Sequence, residues 1–349
     1  MRFHSVASAL VVCGALLLNI TPATAGFVTI NPSGSIQTQV NGVSGNIAVG
    51  YYIDATGVSH GFEYNESAYT TIGPLGSEAT NAIAVSGSNV VGWYQSNGTL
   101  HGFAYNGSNY TTIDPSGSRS TQATGVSGNN VVGYYEDANQ VQHGFEYNGS
   151  TYATIDPSGS IDTIVFAISG NNVVGIYEGV NGIIHGFEYN GSTYTTIDPS
   201  GSINTNATAV SGNNVVGSYK DANHVQHGFE YNGSTYTTID PSGSKTTYVT
   251  GVSGNNVVGY YVDSNNVYHG FEYNGSTYTT IEPSGALYTE ARAVSGDYVV
   301  GMFVADGVIE GFAFQPDASA VPEPSSFALL GLGGIGLVVA AYRKRRIPR

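Results

Sequence analysis

Basic residues and sulfur are scarce in this chain. Its 349 residues hold 10 Lys and Arg against 25 Asp and Glu, with one Cys, two Met and one Trp. One cysteine, Cys13, cannot close an intramolecular disulfide, so the fold must hold without one. Also missing, until the C-terminal end, is any helical period of apolar residues, which excludes a helix-built core. Six of the ten basic residues lie at the two ends (Arg2, Arg343, Lys344, Arg345, Arg346 and Arg349), beside one acid, Glu323. Residues 27–320 therefore carry 4 positive and 24 negative charges, a net of −20. Such a surface repels nucleic-acid phosphates and anionic lipid. It suits solubility, cations or neutral glycans.

The ends are what the middle is not. Residues 1–25 read as an export signal: Arg2 and His4, an apolar stretch from Val6 to Leu18, then Ala23-Thr24-Ala25 as a small-x-small cleavage pattern. Cys13 follows Val12 with little apolar sequence before it, which argues against a lipoprotein. At the other end, Phe327 to Tyr342 is an uncharged run of 16 residues, slightly short of a full span. The cluster Arg343-Lys344-Arg345-Arg346 would hold its end in the cytoplasm and leave all that precedes it outside. Val321-Pro322-Glu323-Pro324-Ser325 stands just upstream. The proline–glutamate–proline motif, apolar run and basic tail together resemble the PEP-CTERM sorting signal of Gram-negative bacteria. The resemblance implies export across the inner membrane, processing by an exosortase-type membrane protease, and a link to exopolysaccharide and biofilm matrix. The rival is an ordinary tail anchor. Residues 316–324 are read as a linker with the motif and 325–349 as a transmembrane anchor. Gly331-Leu332-Gly333-Gly334-Ile335-Gly336 matches the dinucleotide fingerprint in letters only. It lacks the strand and soluble helix that give the fingerprint its meaning, and small residues in an apolar segment serve helix packing.

Between the ends one pattern of about 42 residues recurs seven times. Its marker His-Gly-Phe falls at His60, His101, His143, His185, His227 and His269, and a degenerate form is Glu310-Gly311-Phe312. Each copy holds four strand-like segments, termed a to d. In the sixth, Tyr248–Ser253, Val257–Asp263, Val267–Tyr273 and Thr277–Ile281 alternate with Gly- and Asn-rich breaks. Asn274-Gly275 reads as a two-residue hairpin. The seventh copy stops after strand c, whereas Phe27-Val28-Thr29-Ile30-Asn31-Pro32-Ser33-Gly34 reads as a strand d with its exit. Residues 26–315 are therefore expected to form an all-β, seven-bladed propeller closed by its N-terminal strand. Closure hides the edges an open stack would expose. His-Gly-Phe and the Val131-Val132-Gly133-Tyr134-Tyr135 type of segment resemble HAF-type extracellular repeats, over about residues 36–314. The repeats depart from that family at the central glycine, where it has alanine. The family implies exported location and no particular chemistry.

Chemistry is thinly signalled. The six histidines are spread round a ring and cannot meet on one metal ion; a hydrogen bond repeated between blades is the expected role. Asp114, Asp156, Asp198, Asp240 and Glu282 precede prolines and are expected to cap turns, as Asn31 would. Asp137-Ala138-Asn139 and Asp263-Ser264-Asn265 open like calcium loops but lack the required Gly and distal Glu. No catalytic set, metal site or cofactor site is assigned. Comparing copies is more useful. Two columns of strand a vary: Gln39, Asn81, Gln122, Ile164, Asn206, Tyr248, Glu290, and Asn41, Ile83, Thr124, Phe166, Thr208, Thr250, Arg292. The b–c turns vary as well, while the a–b and c–d turns barely change. Variation is thus expected at the end carrying the d–a and b–c connections, with the membrane anchor at the other. The residues singled out for a binding face are Phe166, Tyr248, Glu290, Arg292, Gln39 and Asn81. The expected function is non-enzymatic binding of extracellular polysaccharide by a surface or matrix protein. The rivals are a protein–protein scaffold and a glycan-cleaving propeller enzyme, for which Glu290 with Arg292 is the one candidate pair.

Overall fold

In the computed structural model, residues 26–315 are described; the segments read as an export signal and as a linker with a transmembrane anchor lie outside them. These residues form seven four-stranded antiparallel sheets. Six are built from consecutive strands, and the seventh has the order 26–30, Val308–Gln315, Tyr298–Ala305, Tyr288–Ser295. The N-terminal strand, Gly26–Ile30, is therefore strand d of blade 7, as expected. Its last residue, Ile30, is fully buried, and Phe27 stacks on Phe314 at 4.6 Å.

Blade 6 shows how sequence becomes sheet. Its strands are Ser244–Ser253, Asn256–Asp263, Tyr268–Tyr273 and Tyr278–Ile281. Strand a begins four residues earlier than its alternation suggests, because Ser244 and Thr246 still pair with Asp263 and Val262 across a bulge. A second bulge falls between Val249 and Gly251; bulges strengthen local twist. The c–d connection is not a two-residue hairpin. Four residues separate the strands, and Asn274 Oδ1 accepts from the backbone N–H groups of Ser276 and Thr277 at 3.1 and 3.0 Å. Only Gly275 takes positive φ there, at 89°. The asparagine is used for its side chain, not for backbone permissiveness.

The core lies between blades, not within them. One cluster joins Val132 and Ile155 of blade 3 to Val165, Ile168, Val173 and Phe187 of blade 4. Every Phe of the seven markers, Phe312 included, is at most 1% exposed; each contributes about 1.5–3 kcal/mol by burial. The marker's glycine is required by the same packing. A Cβ on Gly144 would lie 2.5 Å from Ile155 O and 2.8 Å from Val165 Cγ2, so alanine does not fit.

Polar contacts close the ring. In each a–b turn a glycine N–H donates to a serine Oγ of the preceding blade: Gly87 to Ser44 at 3.1 Å, and so on round to Gly45 with Ser295 at 2.9 Å. At the outer rim, tyrosines that open strand d accept from the blade before: Tyr152 from Asp114 N–H, and Tyr69 from Asn31 N–H, both at 3.0 Å.

Candidate functional site

Strand a of each blade lines the centre, and the second variable column marks its wall. Asn41, Ile83, Thr124, Phe166, Thr208 and Arg292 surround a cavity of about 290 Å³. The column falls at the bulge of strand a, and Val43, Val85 and Val252, further along, line the same cavity. The cavity thus lies toward the a–b turns, and not at the end where variation was expected to gather. The reason is the bulge, which turns this column inward. Not all its variation is free for binding. Thr124, Thr208 and Thr250 donate from Oγ1 to carbonyls of the next blade's strand a, each at 2.8 Å, so these three staple blades together.

The exceptional part of the ring is the junction of blades 6, 7 and 1. Arg292 donates from Nη2 and Nε to Glu290 Oε2 at 2.9 and 3.2 Å, and Tyr288 donates its hydroxyl to Glu290 Oε1. Glu290 is 8% exposed. A carboxylate so buried persists only when paired and hydrogen-bonded, and both its oxygens are engaged. Arg292 continues from Nη1 to Asn41 Oδ1 at 3.2 Å, and Asn41 Nδ2 donates to Asn81 Oδ1 at 2.9 Å. A row of tyrosine rings lies alongside. Tyr248 stacks on Tyr260 at 4.9 Å, Tyr260 on Tyr268 at 5.9 Å, and Tyr268 on Tyr288 of the next blade at 4.3 Å. Burial, then the Glu290 carboxylate, raises the Tyr260 hydroxyl well above the ordinary phenol range. Tyr288 is raised further by burial and by its bond to Glu290. Both stay protonated donors at any ordinary pH.

Of the six residues singled out from the sequence, Tyr248, Glu290, Arg292 and Asn81 fall into this one connected set. Phe166 lies in blade 4 but lines the same cavity as Arg292. Gln39 pairs opposite Tyr51 in the sheet and joins no side-chain bond among the described residues. Sequence comparison missed Tyr260, Tyr268, Tyr288 and Asn41 as partners. A third variable column was there to be read: Tyr51, Trp93, Tyr134, Ile176, Ser218, Tyr260 and Met302.

The histidines correct an expectation. They bond within a blade, not between blades: His101, His143, His185 and His227 place Nδ1 2.7 Å from Asp114, Asp156, Asp198 and Asp240. His269 does so with Glu282 at 2.8 Å. The acids before proline therefore hold strand c to strand d and do not cap the turns. Strand c lies beside strand d in the same sheet, so the nearest acid is in the same blade. The turn-capping acids are instead Asp54, Asp137, Asp221 and Asp263 in the b–c turns. Asp137 Oδ1 accepts from the N–H groups of Asn139 and Val141 at 2.8 and 3.0 Å, and the second of these bonds is the main reason its carboxyl sits low.

Comparison with known proteins adds address and shape. The family model of the PEP-CTERM protein-sorting motif matches residues 320–346. The chain thus carries a C-terminal, membrane-associated sorting signal of exported proteins, including Val321, Pro322, Glu323 and Pro324 and the basic cluster from Arg343 to Arg346. That motif implies processing by an exosortase. No curated protein matches the chain. Among solved structures it is similar to the β-propeller domain of the Trilobed protease of Pyrococcus furiosus, at 9% identity and a TM-score of 0.57, over 80% of this chain and 94% of that one. It is also similar to the BP39L lectin of Burkholderia pseudomallei, at 12% identity and a TM-score of 0.50, over 85% and 97%. A puromycin-hydrolyzing peptidase of Mycobacterium tuberculosis matches at 10% identity and a TM-score of 0.57, over 85% of this chain and 55% of that one. At such identities the likeness is one of fold alone.

Proposed function

We propose that this exported protein is a non-enzymatic surface or matrix component that binds extracellular polysaccharide where blades 6, 7 and 1 meet. One observation carries the reading: four tyrosine rings in a row beside the buried Glu290, whose two oxygens are bonded to Tyr288 and to the half-buried Arg292. Among the described residues no other blade junction has such a row. Rings supply apolar area with a polar handle, and tyrosine hydroxyls and asparagine amides match sugar hydroxyls. Glu290 has both oxygens occupied, so it serves as a fixed charge and not as a free general base. BP39L, similar in fold alone, is a lectin; the reading here rests on this chain's own residues.

The test is binding of the full chain, in a sugar-free detergent, to exopolysaccharide of the producing strain. Tyr248→Ala removes one end of the row. Glu290→Gln with Arg292→Gln removes the pair together, so that no lone charge is left buried. Each variant is expected to weaken binding by at least about tenfold with its melting transition intact. Equal binding by parent and variants, or none by the parent, overturns the reading. It would favour the scaffold alternative, which Leu75, Val180 and Leu287 support by standing exposed at the end with the d–a and b–c connections.

A further inference from the structure

Strand c carries a glutamate two residues after the marker glycine in five blades: Glu63, Glu146, Glu188, Glu230 and Glu272. Blades 2 and 7 have Ala104 and Ala313 instead. The position lies in the groove between neighbouring blades at the end bearing the a–b and c–d turns. Glu272 is 8% exposed and the other four are half-buried, and this burial pushes the carboxyls of Glu63, Glu188, Glu230 and Glu272 up. In blade 7 the loss is made good. Tyr298 stands where five other blades have asparagine, and it packs against the cluster containing Ala313. In blade 2 the loss is not made good. Asn89 keeps the repeat's residue, donating from Nδ2 to Gly128 O at 2.7 Å. The result is a cavity of about 200 Å³ between blades 2 and 3.

What lines that cavity is as informative as its presence. Tyr105 and Tyr147 supply aromatic surface, and Asn89, Asn106, Asn109 and Asn129 supply amides; none of the lining residues is charged. Asn109 is a second departure of the same blade, since Thr151, Thr193, Thr235 and Thr277 hold that place elsewhere. Its side-chain amide bonds no other described residue, although its backbone N–H is held by Asn106 Oδ1 at 2.8 Å. Two substitutions in one blade thus empty a groove and add a free amide at its rim. We propose that this groove is a binding site for a single neutral sugar residue. An aromatic floor takes the apolar face of such a ring, and uncharged amides take its hydroxyls. The volume is below the usual range for drug-sized ligands, about 300–1,000 Å³, and suits one ring. The site shares no residue with the blade 6–7 junction and does not depend on it.

The repeat itself provides variants that the fold tolerates. Ala104→Glu restores the residue of five other blades and fills the groove; Asn109→Thr restores that of four. The full chain in a sugar-free detergent is titrated with neutral hexoses, 6-deoxyhexoses and N-acetylhexosamines, followed by saturation-transfer NMR. At least one sugar is expected to bind. Ala104→Glu is expected to weaken it by at least about tenfold, and Asn109→Thr to weaken it less, with both variants still giving a cooperative melt. The titration is repeated in a Tyr248→Ala background, so that failure here is kept apart from failure of the blade 6–7 reading. The proposal is overturned if no sugar of the panel binds, or if Ala104→Glu binds as the parent does. Should Ala104→Glu fail to fold, unchanged binding by Asn109→Thr overturns it alone.

Discussion

Asn31 donates from Nδ2 to Glu310 Oε1 at 2.9 Å, joining the first strand of the propeller to its last across 279 positions. In blades 2 to 5 the same place holds a histidine on strand c and an aspartate after strand d. Blade 7 reverses the partners, with the acid on strand c and the neutral donor after strand d. The degenerate marker is thus a matched exchange. Blade 1 has Gly73 where the acid would stand, and His60 turns its Nε2 to Asp54 at 2.9 Å.

Asn31→Asp would set two carboxylates against each other. We expect a loss of about 1–3 kcal/mol, the range for a broken buried polar pair. Asn31→Asp with Glu310→His rebuilds the pair of the other blades and is expected to recover most of that loss. Urea unfolding of the two single variants and the double variant gives the coupling directly. Additive effects would show that the two side chains do not depend on one another.

Deletion of Gly26–Ile30 is expected to open the ring. It strips Phe27 from Phe314 and leaves Val308–Gln315 as a bare edge, which invites pairing between chains. Sedimentation should show concentration-dependent association, and a peptide of residues 26–34 should reverse it by adding back the strand. A monomer with an unchanged melt would show that the N-terminal strand adds little to closure.

The architecture was legible because each blade repeats the same alternation and the seventh lacks a strand that the N-terminus supplies. The site was legible in part. Tyr248, Glu290 and Arg292 stand out by comparing copies, since each breaks its column. Their partners did not, because Tyr268 and Tyr288 meet across a blade boundary that sequence adjacency does not reveal. The histidine bond was assigned to the wrong neighbour for a related reason. Thirteen positions separate His101 from Asp114, yet strands c and d are adjacent. The groove at Ala104 needed coordinates, because alanine in blade 7 looks the same in sequence until Tyr298 is seen to pack there.

Glu272→Gln is expected to stabilise the fold at neutral pH. Burial, and then Asp297, holds the Glu272 carboxyl above its ordinary value. As pH rises through the carboxylate range, the unfolded chain gives up this proton more readily than the folded one, so stability is lost there. Glutamine carries no such proton. The melting temperature of the variant should exceed the parent's at pH 7, and the gain should vanish at pH 3, where both chains are neutral at this position. A gain that persists at pH 3 would point to packing instead of charge.

Strong alkali should unfold the ring through its tyrosines. Burial pushes Tyr194, Tyr236 and Tyr298 up to about 12, and it raises Tyr260 and Tyr288 as well. In the unfolded chain these hydroxyls ionise near pH 10. Between that pH and about 12 the folded protein keeps protons that the unfolded chain has released. The stability these groups contribute is therefore whole below pH 10 and falls as pH climbs through the window. Melting temperature is expected to hold up to about pH 9.5 and then drop steeply. Tyrosinate absorbance of the native protein should rise later than that of the urea-unfolded chain. Tyr298→Phe removes one of the titrating groups and should make the drop shallower. Coincident absorbance curves for native and unfolded protein would show that the blade-edge hydroxyls meet water freely, and the tyrosine contacts between blades would then lose their role in holding the ring.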